Sequence, residues 1–124
     1  MVLLHTCLNV SDVEQSVEWY VENLGFEDSW GFETEDGETV NRYVADENGF
    51  ELQLSETEGK TPSDAGDLWD HVAVEVDDVD AAFEEIDDHG VRQKPADQSV
   101  VGARTAFLED PDGHVVELVE FLDE

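Results

Sequence analysis

Two histidines and two glutamates recur in this chain of 124 residues at equal spacing. Glu51 follows His5 by 46 residues, and Glu117 follows His71 by 46 residues. Imidazole nitrogen and carboxylate oxygen are ligands that suit Zn²⁺, Ni²⁺, Co²⁺ or Mn²⁺. Glutamate is rarely fully buried unless it is paired or coordinates a metal. The set therefore predicts a divalent metal site, and octahedral coordination would leave two positions for water or substrate.

Each of these four residues lies in a segment that alternates in the manner of a β-strand. Successive side chains of a strand point to opposite faces. Glu51 should therefore share its face with Gln53 and Ser55, and Glu117 should share its face with Val115 and Val119. The opposite faces are apolar and would receive helices. We expect the four strands to present His, Glu, His and Glu at equivalent positions of a repeat.

The two halves of the chain carry the same order of predicted elements. HTCLNVSDVEQSVEWY aligns with HVAVEVDDVDAAFEEI at an offset of 66 residues, and DENGFELQL and DPDGHVVELVE share a turn followed by a strand with a glutamate. Aspartate or serine before each helix and glycine after it are typical helix ends. The predicted elements are strands at 3–10, 26–34, 40–46 and 50–55 around a helix ending at Gly25, then strands at 71–76, 91–93, 103–109 and 114–121 around a helix ending near Gly90.

This pattern predicts one α+β domain over residues 1–124. It contains a first βαβββ module at 1–56, a linker loop at 57–70 and a second βαβββ module at 71–124. The expected architecture is a cupped mixed sheet with the helices on its outer face. Chance similarity between two short α+β patterns is the alternative explanation of the repeat.

Acidic residues dominate the charge of the chain. Thirty-four acids against five bases give a formal charge of −29. Binding to nucleic acid needs Lys and Arg to neutralise phosphates, so this balance argues against a nucleic-acid partner. Periodic apolar segments argue against a disordered acidic chain. A folded protein adapted to molar salt remains, because salt screens the repulsion between surface charges.

The cysteine content and the length of the apolar runs indicate the cellular compartment of the protein. Cys7 is the single cysteine, so an intrachain disulfide cannot form. The first residues lack the pattern of a signal peptide, and no apolar run reaches the length of a membrane helix. These features predict a cytoplasmic protein with no membrane partner.

The chain resembles the vicinal oxygen chelate superfamily, and within it the short bacterial glyoxalase I family. The stretches LLHTCLNVSDVEQSVEWYVENLGF, FELQL, DHVAVEVDDVDAA and FLEDPDGHVVELVE carry the resemblance from end to end. His5, Glu51, His71 and Glu117 match the metal positions of glyoxalase I. Methylmalonyl-CoA epimerase relatives typically have Gln in place of one carboxylate, and extradiol dioxygenases use two His and one carboxylate.

The resemblance implies an isomerisation used in methylglyoxal detoxification. A hemithioacetal of methylglyoxal and a low-molecular-weight thiol becomes an S-lactoyl thioester through an enediolate. Glu117 would be the principal base, and Glu51 could act on the opposite face of the substrate. The resemblance also implies a homodimer, in which His5 and Glu51 come from one subunit and His71 and Glu117 from the other.

Two departures from the family bear on the thiol. Asn9 stands where the family often has Arg, and Ser55 stands where it often has a glutathione-contacting Asn. Arg42 and Arg104 are the cations that could bind a thiol's carboxylates, unless they only offset local acidity. Two other functions stay open: an epimerase-type enolate-forming enzyme of the superfamily, and a binding protein that sequesters a drug or toxin. Such binders generally lack the ligand set.

Overall fold

The computed structural model describes residues 4–62 and 70–122. The chain divides into two compact units, Met1–Ser63 and Asp64–Glu124. Each unit contains one copy of the βαβββ order, which confirms the predicted repeat and the α+β class. The boundary falls within the predicted linker at 57–70, of which residues 63–69 lie outside the described residues.

The first unit is a four-stranded mixed sheet with one helix. The strand order is β1-β4-β3-β2; β1 is parallel to β4 and the other neighbours are antiparallel. Helix α1 packs against β3 and β4, and its apolar side chains are buried with Leu52 and Leu54. The elements are β1 (His5–Asn9), α1 (Val13–Leu24), β2 (Glu27–Glu33), β3 (Thr39–Ala45) and β4 (Glu51–Thr57).

The second unit repeats this topology in the order β5-β8-β7-β6, with β5 parallel to β8. Helix α2 packs against β8, β6 and β7 over buried Val116 and Leu118. Its elements are β5 (Val72–Glu75), α2 (Val79–Glu85), β6 (Val91–Gln98), β7 (Ala103–Glu109) and β8 (Val115–Phe121). None of the helices within 4–62 and 70–122 has the length and apolar character to cross a bilayer.

Both helices begin at an aspartate, as the sequence predicts. Asp12 accepts a hydrogen bond from the Gln15 backbone N–H, and Asp78 accepts one from the Ala81 backbone N–H. Such caps satisfy amides that have no partner within the helix. Gly25 ends α1 with φ 70°, a left-handed conformation that glycine adopts without a Cβ clash.

Strand β6 is longer than the sequence pattern predicts. The predicted strand covers 91–93, whereas the structure has Val91–Gln98. The pairing with β7 is irregular between Gln93 and Ala96, a stretch that contains Pro95. Proline has no N–H to donate, so it is tolerated in an edge strand or at such an irregularity. The irregularity also interrupts the alternation on which the sequence-based prediction relies.

Alternation along the central strands separates two faces in each unit. In β4, Leu52 and Leu54 are buried beneath α1, while Glu51 and Gln53 lie on the other face. In β8, Val116 and Leu118 are buried beneath α2, and Glu117 lies on the other face. The candidate ligands of both units therefore lie on the sheet face that the helix leaves uncovered.

Candidate metal centre

In the second unit, His71 and Glu117 form a direct contact. His71 Nε2 lies 3.0 Å from Glu117 Oε1, and His71 Nδ1 lies 2.6 Å from Asp70 Oδ1. A carboxylate only accepts hydrogen bonds, so both contacts need N–H groups on both nitrogens of the ring. A protonated ring supplies both N–H groups, whereas beside a neutral ring a cation shared by Nε2 and Glu117 would take the place of the missing proton. The donor set thus fits a divalent metal.

The His71 ring is also fixed by packing. It meets the ring of Phe107 edge to face, with centroids 5.6 Å apart and planes at 84°. Phe107 lies opposite Glu117 in the β7–β8 pair. Phe107 is therefore a neighbour of both members of the pair.

A pocket of about 290 Å³ opens beside Glu117. The Glu117 side chain is 18% exposed, so its carboxylate is largely shielded while still reaching the pocket. The lining residues are Gln93, Gln98, Val100, Val101, Thr105, Phe107 and Glu117.

In the first unit, His5 has an aromatic neighbour of the same kind. It meets Tyr43 edge to face at 5.4 Å and 84°. Glu51 lies opposite His5 in the β1–β4 pair. The Glu51 carboxylate accepts hydrogen bonds from Ser29 Oγ at 2.7 Å and from Trp30 Nε1 at 3.4 Å.

The equal spacing of 46 residues does not place Glu51 and Glu117 at equal positions in their strand pairs. In the first unit His5 lies opposite Glu51, but in the second unit Ala73 lies opposite Glu117. His71 precedes Ala73 by two residues and reaches Glu117 diagonally. Glu51 and Glu117 are thus not at equivalent positions of the repeat, contrary to the expectation from sequence.

Gln53 is a polar residue on the same face of β4 as Glu51, and it was not among the predicted ligands. Its Nε2 donates to Asn41 Oδ1 at 2.9 Å, and it lies opposite Tyr43 in the β3–β4 pair. The sequence does contain a signal for it. Gln53 follows Asp46 of the DENG turn by seven residues, as Glu117 follows Asp110 of the DPDG turn by seven.

The structure does not bring Arg42 to the ligand face. Arg42 forms ion pairs with Glu14 of α1 and Asp28 of β2. Its pKa is raised, chiefly by the hydrogen bond to Asp28. Alternation explains its position, because Arg42 lies between Asn41 and Tyr43 and so points to the helix side of the sheet.

Arg104 has the corresponding position in the second unit. It is bound to Asp80 of α2 through two hydrogen bonds of 2.8 and 3.0 Å, and to Asp97 at 3.0 Å. These bonds raise the pKa of Arg104, and the bond from Arg104 lowers the pKa of Asp80. Both arginines therefore join helix to sheet, and their binding of a thiol's carboxylates stays a prediction.

Within the described residues, Asp78, Asp80 and Glu120 form a cluster of three acids close enough to share a cation. Each already has a structural partner. Asp78 caps α2, Glu120 accepts from the Val79 backbone N–H at 2.9 Å, and Asp80 binds Arg104. The cluster is accounted for by the start of the helix.

Comparisons with known proteins agree with this architecture. The family model of the glyoxalase/bleomycin resistance protein/dioxygenase superfamily matches residues 2–118. A probable lactoylglutathione lyase of Vibrio parahaemolyticus is 32% identical over 95% of this chain and 89% of its own length.

Solved structures with the same fold include an enzyme and a binding protein. The trypanothione-dependent glyoxalase I of Leishmania major matches with a TM-score of 0.79 and 26% identity, over 97% of this chain and 86% of that one. TnmS3, an antibiotic binding protein from a Streptomyces species, matches with a TM-score of 0.74 and 25% identity, over 97% and 95%. With its repeated βαβββ units and this family match, the chain belongs to the glyoxalase/bleomycin resistance protein/dioxygenase superfamily.

Proposed function

We propose that this protein is a metal-dependent enzyme of the glyoxalase I type. It would convert the hemithioacetal of methylglyoxal and a low-molecular-weight thiol into an S-lactoyl thioester, a step of methylglyoxal detoxification. The observation that carries the proposal is the His71–Glu117 contact at the edge of a small pocket. The name of the Vibrio relative, lactoylglutathione lyase, supports the same reaction.

The metal would be held by His71 and Glu117 together with His5 and a side chain from β4. The sequence predicts Glu51 for the β4 position. Ni²⁺, Zn²⁺, Co²⁺ and Mn²⁺ all suit nitrogen and oxygen donors of this kind. When bound, the ion would act as a Lewis acid towards two adjacent oxygens of the substrate.

Glu117 is the residue best placed to move the proton. Its carboxylate lines the pocket, and its side chain is 18% exposed, so it can reach a bound substrate. It would take the hydrogen from the thiol-bearing carbon as a proton, leaving the electron pair in an enediolate. Return of that proton to the neighbouring carbon gives the 2-hydroxyacyl thioester, so atoms and electrons balance without a further reactant.

Asp70 would set the orientation of the ligand His71. Its carboxylate accepts from Nδ1 at 2.6 Å, which leaves Nε2 for the metal. Such outer partners fix the tautomer of a ligand histidine and increase its basicity. Asp70 is thus a positioning residue in the proposal.

The names of the relatives point to more than one thiol co-substrate. The Vibrio relative is named for glutathione, and the Leishmania enzyme is described as trypanothione-dependent. Asn9 and Ser55 depart from the glutathione-type pattern, and both arginines are engaged in ion pairs. Metal analysis joined to an assay of methylglyoxal with several cellular thiols tests the function. A protein that contains metal but isomerises none of these adducts would contradict it.

The proposed homodimer can be tested by mixing two inactive variants. If His5 of one subunit and His71 of the other share a site, a mixture of His5→Ala and His71→Ala dimers that exchange subunits regains one intact site. Activity should therefore recover on mixing. If both histidines of a site belong to one chain, every site in the mixture stays damaged and activity does not recover. Multi-angle light scattering in high salt gives the oligomeric state independently.

A second candidate is an epimerase-type enolate-forming enzyme, which is favoured by Gln53 at the position in β4 that corresponds to Glu117. The two functions share the proton removal but differ in where the proton returns. Incubation in D₂O distinguishes them. An epimerase would exchange the proton next to the carbonyl of an acyl thioester without isomerising a hemithioacetal.

A further inference from the structure

The turns before β4 and β8 have the same hydrogen bonds. Asp46 Oδ1 accepts from the backbone N–H groups two and four residues later, both at 2.9 Å. Asp110 Oδ1 does the same at 2.9 and 2.8 Å. Because the turns are equivalent, residues at equal distance from these aspartates are equivalent. Gln53 and Glu117 are both the seventh residue after the turn aspartate, whereas Glu51 is the fifth.

The contacts at the other end of these strands confirm this equivalence. Glu56 Oε1 accepts from the first backbone N–H of α1 at 2.8 Å, and Glu120 Oε1 accepts from that of α2 at 2.9 Å. Glu56 follows Gln53 by three residues, and Glu120 follows Glu117 by three. The positions of β4 therefore correspond to those of β8, with Gln53 in the place of Glu117.

The aromatic neighbours of the histidines lead to the same pairing. Tyr43, on which His5 packs, lies opposite Gln53. Phe107, on which the second histidine packs, lies opposite Glu117. In each unit, the ring that contacts the histidine therefore lies opposite the residue that follows the turn aspartate by seven positions.

The amide of Gln53 is held in one orientation. Nε2 donates to Oδ1 of Asn41, a side chain that is 4% exposed. Because Nε2 makes this bond, the amide oxygen is the atom of Gln53 that is left to ligate a cation. Carbonyl oxygens of Gln are ordinary ligands for hard divalent cations.

Glu51 has a different set of partners. Its carboxylate binds Ser29 and the indole N–H of Trp30. Trp30 is 50% exposed and stacks on Tyr43 with centroids 4.2 Å apart and planes at 5°. Glu51 therefore holds the edge of an aromatic surface.

We infer that Gln53, and not Glu51, is the ligand that β4 contributes to the metal site, and that Glu51 is a positioning residue for Trp30. The inference rests on the proposed function, because it names a residue of the same site. The ligand set becomes His5, Gln53, His71 and Glu117. These ligands carry one formal negative charge instead of two, and Glu117 is the single carboxylate among them.

Metal titration of the full chain tests this division. Titration calorimetry with Mn²⁺ or Co²⁺ compares the wild type with Gln53→Ala, Glu51→Ala and His71→Ala. Gln53→Ala and His71→Ala should bind at least ~10-fold more weakly, since loss of even an outer partner costs that much. Glu51→Ala should bind as the wild type does. Gln53→Glu, unlike Gln53→Ala, should keep tight binding, because glutamate also provides an oxygen ligand at this position.

Two failures can be told apart in this experiment. If Glu51→Ala loses the metal and Gln53→Ala keeps it, the inference is overturned while the proposed function stands. If the wild type itself binds neither cation, the proposed function fails together with the inference. Circular dichroism of each variant shows that the comparison is made between folded proteins.

Tryptophan emission tests the role of Glu51 separately. Glu51→Ala should shift the emission, because Trp30 loses its hydrogen bond, and Gln53→Ala should leave it unchanged. The shift should vanish in a Trp30→Phe background. A shift that persists there would contradict the assignment of Glu51 to Trp30.

Discussion

In the second unit the candidate ligand histidine lies between two carboxylates, whereas in the first unit the corresponding histidine has an apolar predecessor. Asp70 precedes His71 and contacts Nδ1, but Leu4 precedes His5. The carboxylate of the second unit, Glu117, has a neutral amide as its structural counterpart. The units thus share turns, helix caps and the edge-on aromatic ring, and differ in the groups that carry charge at the site.

This difference indicates that the scaffold and the chemistry of a duplicated unit can change independently. The second unit provides an oriented imidazole, a carboxylate and a pocket. The first unit provides an imidazole, an amide and the stacked rings of Trp30, Phe32 and Tyr43. We expect the second unit to govern proton transfer and the first to govern the fit of the substrate.

Salt should have the largest effect, and it should act on both units alike. With a formal charge of −29, repulsion destabilises the compact state in dilute buffer, while at 1 M salt the Debye length falls to roughly 3 Å. We expect a much higher melting temperature in 3 M than in 0.1 M KCl, followed by circular dichroism. An identical melt in both would remove the prediction of salt adaptation, and two separate transitions would show that the units respond differently.

Glu117→Gln should lower turnover by roughly two orders of magnitude or more, which is the usual scale for loss of a general base. The variant keeps the size and one oxygen ligand, so metal content should fall less than turnover. Steady-state kinetics and metal analysis on the same preparation measure both. Glu51→Gln is the matched control and should retain most activity. Near wild-type turnover in Glu117→Gln would move the base elsewhere.

Asp70→Asn should weaken metal binding by about 10-fold, at the lower end of the loss seen for outer partners of ligand histidines. The charge-matched control is Asp77→Asn, an exposed acid next to the same strand. Calorimetric titration with Mn²⁺ compares the two. Equal affinities would mean that His71 needs no orienting carboxylate, and the main contrast between the units would lose its significance.

The smallest effects should come from the contacts that the two units share. Glu56→Ala and Glu120→Ala each remove an acceptor from the first N–H of a helix, a loss of about 1 kcal/mol in the free energy of unfolding. Glu56→Gln and Glu120→Gln keep an acceptor and should lose less. Urea unfolding in high salt measures all four. A large difference between the two alanine variants would contradict the equivalence of the strands.

Much of the fold follows from local signals in the sequence. Asp12 and Gly25 bound a helix because their side-chain and backbone preferences act within a few residues. His5, His71 and Glu117 could be placed on the uncovered face because alternation depends only on the parity of a position. The histidine–carboxylate pair of the second unit was therefore within reach of sequence analysis.

The register of the strands was not within reach of the same reasoning. A shift of one residue would turn Glu51 to the wrong face, but a shift of two leaves every side chain on its own face. Alternation cannot distinguish Glu51 from Gln53, and the equal spacing of 46 residues does not correspond to equal positions in the strand pairs. For Arg42, by contrast, alternation alone is enough to predict which face of the sheet it lies on. The parity of TVNRYVA places it with Val40 and Val44 on the helix side, where Glu14 binds it.

The aspartate turn before the last strand of each unit fixes how far along that strand Gln53 or Glu117 lies, because each is the seventh residue after the turn aspartate. A step of two residues along a strand is about 7 Å, and it preserves the buried face. Lengthening or shortening the segment between turn and ligand by two residues would exchange one functional group for another without disturbing the core. The length of this hairpin thus determines which residue occupies the position in the site. A repeat of fixed shape can in this way place an acid, an amide or an apolar residue at the same point.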